Sequence, residues 1–273
     1  MKNKTSAQRV TVALAQMRRQ GRLLPEQYLG EMVVVVSLYV AEFPLLLLMV
    51  KPTSYLTMSF EIRPFSLDLP ETGGVSIGLI GASRSGKTTL LKYIYKNHFT
   101  KFITCMTTMN PHADIYKDMG EKVLVASQFH PEILRDIHEI NKLTDTKFKF
   151  LFISDDYVDT KIKNDPEITR CLTIYRNAGL SSIFSFQGRT LMNSVGRNNL
   201  HYVAILKQQT PKDWKAVIEE FLDMWLPMDL TMREKIDFCQ RATMDHQMFF
   251  IDNLAGCCYL TKLSGAQVIE SNS

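Results

Sequence analysis

An α/β fold is predicted, with a mostly parallel central sheet flanked by helices and a C-terminal hairpin. Three observations carry it: strand-length apolar runs alternate with helical stretches, a glycine-rich turn joins the first such pair, and two strand-like runs close the chain. Phe60 to Leu69 leads in through Pro64 and Pro70. Val75–Ile80 reads as the first core strand and Lys87–Asn97 as the helix after it. Phe102–Met106 and Val123–Ser127 read as strands. His130–Leu143 reads as a helix with Ile133, Leu134, Ile137 and Ile140 on one face. Phe148–Ile153 is a strongly apolar strand followed by Ser154-Asp155-Asp156. Pro166–Ala178 is helical, and Gly179 is a natural stop. Leu180–Phe186, ended by Gln187, and Tyr202–Leu206 are further strands. Helices follow over Lys212–Leu226 and Thr231–Arg241. Gln247–Ile251 and Cys257–Leu260, joined by Asp252-Asn253-Leu254-Ala255-Gly256, form the closing hairpin.

At 273 residues the chain buries one substantial core and carries a small extra segment. Hydrophobic content of 45% and charged content of 22% are ordinary for a folded globular protein. A net charge of +4 permits a nucleic-acid partner without requiring one. The five cysteines are odd in number and form no C-x-x-C, which suggests neither a zinc site nor a disulfide framework and fits a reducing compartment. The six histidines show no ligand spacing.

The expected organisation is an N-terminal segment, 1–57, and a core, 58–273. Residues 1–31 are basic, with Lys2, Lys4, Arg9, Arg18, Arg19 and Arg22 against Glu26 and Glu31. Met32–Val50 is almost wholly apolar and close to the length that spans a bilayer. Glu42 and Pro44 argue against a membrane anchor. Strands packed within the domain, and a segment outside the functional core, are the other two readings.

The run Gly81-Ala82-Ser83-Arg84-Ser85-Gly86-Lys87-Thr88 fits the phosphate-binding pattern G-x-x-x-x-G-K-[ST] at every fixed position. Two glycines let the backbone curl so that successive N–H groups form an anion nest. The helix behind it, with Thr89 next in its first turn, offers unpaired N–H groups and a positive dipole end. Lys87 is placed for the β- and γ-phosphates of ATP and Thr88 for Mg²⁺.

The strand ending in Asp155 and Asp156 puts carboxylates at the carboxyl edge of the sheet, where open α/β folds bind ligands. Downstream of a phosphate loop, Asp155 is expected to hold Mg²⁺ and Asp156 to polarise the attacking water. Gln187 ends a strand on the same edge and can sense the γ-phosphate. Arg197, in a Gly-Arg-Asn-Asn turn, is a candidate to stabilise charge on a neighbour's nucleotide, with Arg176 a weaker one.

This ordered set resembles the genome-packaging ATPases of large eukaryotic DNA viruses and virophages, within the FtsK–HerA group of P-loop motors. The resemblance runs from about Phe60 to about Leu260 and includes the lead-in Phe65-Ser66-Leu67-Asp68-Leu69-Pro70. It implies a RecA-like sheet with an additional strand. It also implies a ring of five or six copies, double-stranded DNA as partner and a capsid or portal-vertex protein as receiver. The virion and the cytoplasmic viral factory are the implied locations, with membrane contact through 32–50 as an addition. Asp156 stands where cellular relatives usually have glutamate, and Ser154 interrupts the apolar run before the acids. Lys117, Lys122, Lys161 and Lys163 are basic positions in loop-like sequence, with ordinary solvated lysines the simpler reading. A nucleotide kinase and a membrane-associated virion protein using nucleotide as a switch are the alternatives.

Overall fold

The computed structural model describes residues 60–108, 113–145, 148–155, 165–187 and 193–263. All lie in the compact unit Phe60–Ser273. The apolar segment Met32–Val50 and the lysines Lys161 and Lys163 lie outside the described residues. Among the described residues no helix is long and apolar enough to cross a membrane.

The described strands form one open sheet. In chain order they are β1 (Ile62–Pro64), β2 (Ser76–Ile80), β3 (Ile103–Thr108), β4 (Val123–Ala126), β5 (Phe150–Asp155), β6 (Leu180–Phe186), β7 (Tyr202–Ile205), β8 (Gln247–Asp252) and β9 (Cys257–Lys262). Their spatial order is β1-β9-β8-β7-β2-β6-β5-β3-β4. Every neighbouring pair is parallel except β7·β8 and β8·β9, so β8 alone of these strands runs against the rest. The helices are α1 (Lys87–Ile94), α2 (Pro131–Leu143), α3 (Pro166–Thr173), α4 (Ser194–Asn198), α5 (Pro211–Val217) and α6 (Met232–Ala242).

Burial explains the sequence patterns. β2, β5 and β6 are buried at every position, as central parallel strands covered on both faces must be. This accommodates Ser154, which sits inside β5 and is itself buried. The short β1 carries Pro64 on the sheet's edge, where a missing N–H is tolerated. On α2, Leu134 and Ile137 are buried, whereas Ile140 is 46% exposed at the margin of the apolar face. Helices α5 and α6 start with capping boxes, Thr210 with Asp213 and Thr231 with Glu234.

Three expected helices are broken more finely than their periodicity suggests. α1 widens into a π-type turn over Tyr95–Phe99, which turns both Tyr95 and Phe99 into the core. The stretch expected as Lys212–Leu226 is α5, a π-type turn (Ile218–Leu222) and a 3₁₀ turn (Asp223–Trp225). α3 gives way to a 3₁₀ turn, Tyr175–Ala178, stopped at Gly179 with φ +82°. Around Arg197 the structure has a short helix, α4, where the sequence reads as a turn. Asn193 caps it, accepting from the Gly196 N–H at 2.7 Å. A further 3₁₀ segment, Ala113–Met119, links β3 to β4.

Candidate active site at the carboxyl edge of the sheet

Between β2 and α1 the chain makes the phosphate loop, and the sheet fixes its start. The Gly81 N–H donates to Phe186 O at 3.1 Å, at the end of β6, and the Ala82 N–H donates to Lys207 O at 2.9 Å, just past β7. Gln208, 3% exposed, adds a clamp that the sequence reading passed over. Its Nε2 donates to Leu206 O at 2.7 Å and to Ile80 O at 3.4 Å, holding the last residue of β2. No local pattern marks this glutamine; its role depends on β7 lying beside β2.

The loop's glycines are required by its shape. A Cβ on Gly81 would stand 2.5 Å from Ser85 Oγ and 2.9 Å from Leu206 Cβ, leaving no room for a side chain. Gly86 has φ +97°, in the left-handed region. Arg84, at φ +61°, bends the loop's crown. α1 opens without a side-chain cap and without an acidic residue in its first turn, so its N–H groups and dipole face the loop. The Lys87 side chain curls back, with Nζ donating to Gly81 O and Ala82 O at 2.9 Å each, and the residue is only 4% exposed. A nest too tight for Cβ, an uncapped helix end and an ammonium at its mouth together fit a polyphosphate.

β5 ends beyond the expected Ile153 and includes Asp155, which pairs in register with Thr108 of β3. Asp155 is fully buried. The Thr88 hydroxyl donates to its Oδ2 at 3.4 Å, so the loop's helix and the acid's strand meet through side chains. The same oxygen accepts a hydrogen bond from the Tyr116 hydroxyl, from the segment between β3 and β4. Burial, and then the Asp155 charge, push the Tyr116 hydroxyl far above its ordinary pKa, which keeps it protonated and donating. A hydroxyl facing a buried carboxylate is a donor set that suits Mg²⁺ beside a nucleotide's phosphates. Tyr116 is a site residue that periodicity could not reveal, because it lies in an irregular connection.

Between the loop's strand and the acid's strand runs β6. Neighbouring strands are about 4.8 Å apart, so the ends of β2 and β5 are separated by roughly twice that spacing. Gln187, just past β6, stands at the edge between them and is exposed. Asp156 lies outside the described residues. Thr89 follows Thr88 in the first turn of α1.

The two arginines are placed elsewhere. Arg197 sits near the end of α4, before β7 begins, and its Nε is 2.7 Å from Glu220 Oε1. Arg176 lies at the amino edge of the sheet, with Nη1 2.9 Å from His201 Nε2 and 3.3 Å from Asn199 O. A cavity of about 450 Å³ also opens at that amino edge, lined by residues including His98, Lys101, Phe148 and Lys149. It lies at the opposite ends of the strands from the phosphate loop and is separate from this site. Lys117, in the 3₁₀ segment Ala113–Met119, and Lys122 both precede β4 and are exposed.

No protein-family model and no curated protein matches the chain. Solved structures with a similar fold include the genome-packaging NTPase B204 from Sulfolobus turreted icosahedral virus 2 in complex with AMPPCP. That chain is 16% identical, with a TM-score of 0.52, over 70% of this chain and 98% of that one. B204 from Sulfolobus turreted icosahedral virus, described as a DNA-packaging ATPase, gives 16% identity and a TM-score of 0.53 over 69% of this chain and 97% of that one. The pCW3 conjugation coupling protein TcpA, in its monomer form with ATPgS, gives 11% identity and a TM-score of 0.52, over 68% of this chain and 60% of that one. With its phosphate loop on β2, its buried acid on β5 and β6 between them, the chain has the additional-strand P-loop NTPase fold that it shares with B204 and TcpA.

Proposed function

We propose that this chain is an ATP-hydrolysing motor of the FtsK–HerA group that drives double-stranded DNA into a viral capsid. The observation that carries this reading is the insertion of β6, the strand that Gln187 follows, between the loop-bearing β2 and the Asp155-bearing β5. The likeness in fold to B204 supports the packaging role, and the likeness to TcpA supports a motor for nucleic acid more broadly.

The proposed roles rest on the sequence motifs and on the contacts described for Lys87, Thr88 and Asp155. The loop's N–H groups and Lys87 hold the β- and γ-phosphates of ATP and offset their charge. Thr88 and Asp155 would hold Mg²⁺, which when bound neutralises charge shared between those phosphates. Asp156 takes the proton-accepting role toward the attacking water, and Gln187 orients that water or reports the state of the γ-phosphate. Arg197 acts in trans, on the nucleotide of the next copy in a ring of five or six. DNA is held chiefly through its phosphates, so binding is sequence-tolerant and weakens with salt.

The test is ATP turnover by the full chain with and without double-stranded DNA, alongside Asp156→Asn. Turnover raised by DNA and lost in the variant is the expected result. Phosphorylation of a nucleoside monophosphate, indifferent to DNA, would identify a kinase instead. Nucleotide binding without turnover under any condition would identify a switch.

A further inference from the structure

We propose that Tyr116 is the positioning residue for Asp155: its hydroxyl fixes the buried carboxylate in the orientation that serves a magnesium–nucleotide complex. The inference rests on the nucleotide-site reading above and names a part of that site which lies outside its sequence motifs.

The argument begins with the connection between β3 and β4. Its segment Ala113–Met119 is tied to the phosphate-loop helix by Asp118, whose two oxygens lie 2.9 Å from Lys92 Nζ and 2.8 Å from Lys96 Nζ. Two residues earlier, Tyr116 turns inward, is 1% exposed, and donates its hydroxyl proton to Asp155 Oδ2. Thr88 donates to the same oxygen from the start of α1. The contacts therefore close a circuit from α1 through Asp118 and Tyr116 to Asp155, and back through Thr88 to α1. A carboxylate turns readily about its terminal torsion. Two donors converging on one oxygen fix its plane. Outer partners of this kind tune metal sites almost as strongly as the ligands do.

A tyrosine that only filled space would be replaced without loss by phenylalanine, which keeps the ring and removes the donor. Tyr116→Phe in the full chain is therefore the discriminating variant. Mg²⁺ is titrated against protein mixed with a fluorescent ATP analogue, and binding of the same analogue is measured in excess EDTA. The expected result is about a tenfold loss in apparent Mg²⁺ affinity, with metal-free analogue binding unchanged. Asp118→Asn, at an exposed position, loosens the strap without touching the hydroxyl and is expected to shift Mg²⁺ dependence the same way by less. Wild-type Mg²⁺ dependence in Tyr116→Phe, or an equal loss with and without Mg²⁺, would overturn the proposal. Should Tyr116→Phe fail to fold, Asp118→Asn decides: a shift in Mg²⁺ dependence supports the proposal and none overturns it. Failure of the wild-type chain to bind the analogue at all would instead defeat the nucleotide-site reading, and this inference with it.

Discussion

Arg197 and Glu220 join the helix before β7 to the helical turn after it, through a 2.7 Å contact between Nε and Oε1. Both side chains are largely covered, at 17% and 18% exposure, so the pair is worth more than a surface ion pair. Glu220→Ala should lower unfolding free energy by about 1–3 kcal/mol, read by urea denaturation. Arg197→Ala tests the trans role. With the proposed trans role, turnover should fall by about 10³-fold, with nucleotide affinity of the single chain unchanged. Inactive Lys87→Ala subunits that carry Arg197 should restore turnover to it on mixing. No rescue would place Arg197 outside the trans role.

Lys87 is held at the loop's mouth by two carbonyl oxygens, Gly81 O and Ala82 O. Lys87→Ala should lower turnover by about 10²–10³-fold. Fold is retained, because α1 starts well without it. Steady-state hydrolysis and circular dichroism together check this, and retained turnover would remove Lys87 from the mechanism.

The cradle at Gly81 makes a separate demand. A side chain there meets Ser85 Oγ and Leu206 Cβ before any phosphate arrives. Gly81→Val should abolish binding of a fluorescent ATP analogue and cost about 1–3 kcal/mol of stability from overpacking. Unchanged binding would show that the loop relaxes around the added carbons.

At the other edge of the sheet, His201 predicts a pH effect on stability. Its Nδ1 lies 3.2 Å from the Ser76 N–H and its Nε2 2.9 Å from Arg176 Nη1. A neutral ring accepts from one of these donors; a protonated ring accepts from neither. Burial, then the Arg176 guanidinium, hold His201 below the ordinary imidazole pKa of 6.5, against a smaller opposing pull from Asp252. The unfolded chain therefore takes up the proton first as pH falls. The stabilisation is present above the unfolded value and is lost as pH drops through the folded one. His98, depressed chiefly by burial, acts in the same direction. Urea midpoints measured from pH 7.5 to 5 should fall, and His201→Gln should flatten part of that fall. An unaltered slope would remove His201 as a contributor.

Much of the sheet was legible because central parallel strands bury both faces and leave continuous apolar runs. Leu180–Phe186 was readable to the residue for this reason, and the hairpin was readable from the turn that Asp252 organises by accepting from the Leu254 and Ala255 N–H groups. The phosphate loop was legible because its chemistry is local, with every required residue inside one turn. Tyr116 and Gln208 were not, because each acts on a residue far away in sequence: Asp155 on β5 and Ile80 on β2. The expected single helix Lys212–Leu226 failed for another reason. Trp214, Val217, Ile218 and Leu222 are all buried and recur at i, i+3, i+4 and i+8, the same stripe an unbroken helix would show, so the sequence carries no sign of the wider turn. For Arg197 the five-residue α4 is too short to leave a period in the sequence.

The pairing of β1 with β9 sets Ile62 beside Leu260, and β2 finds its neighbours β6 and β7 far downstream. During synthesis the strand that bears the phosphate loop thus emerges long before either of its flanking strands. At ribosomal rates the delay between Ile62 and Leu260 is on the order of ten seconds or more. The β3·β4 ladder can close early, while the nucleotide site must wait for non-local pairings that form slowly. Competence to bind a triphosphate is therefore acquired late in folding, after most of the chain already exists.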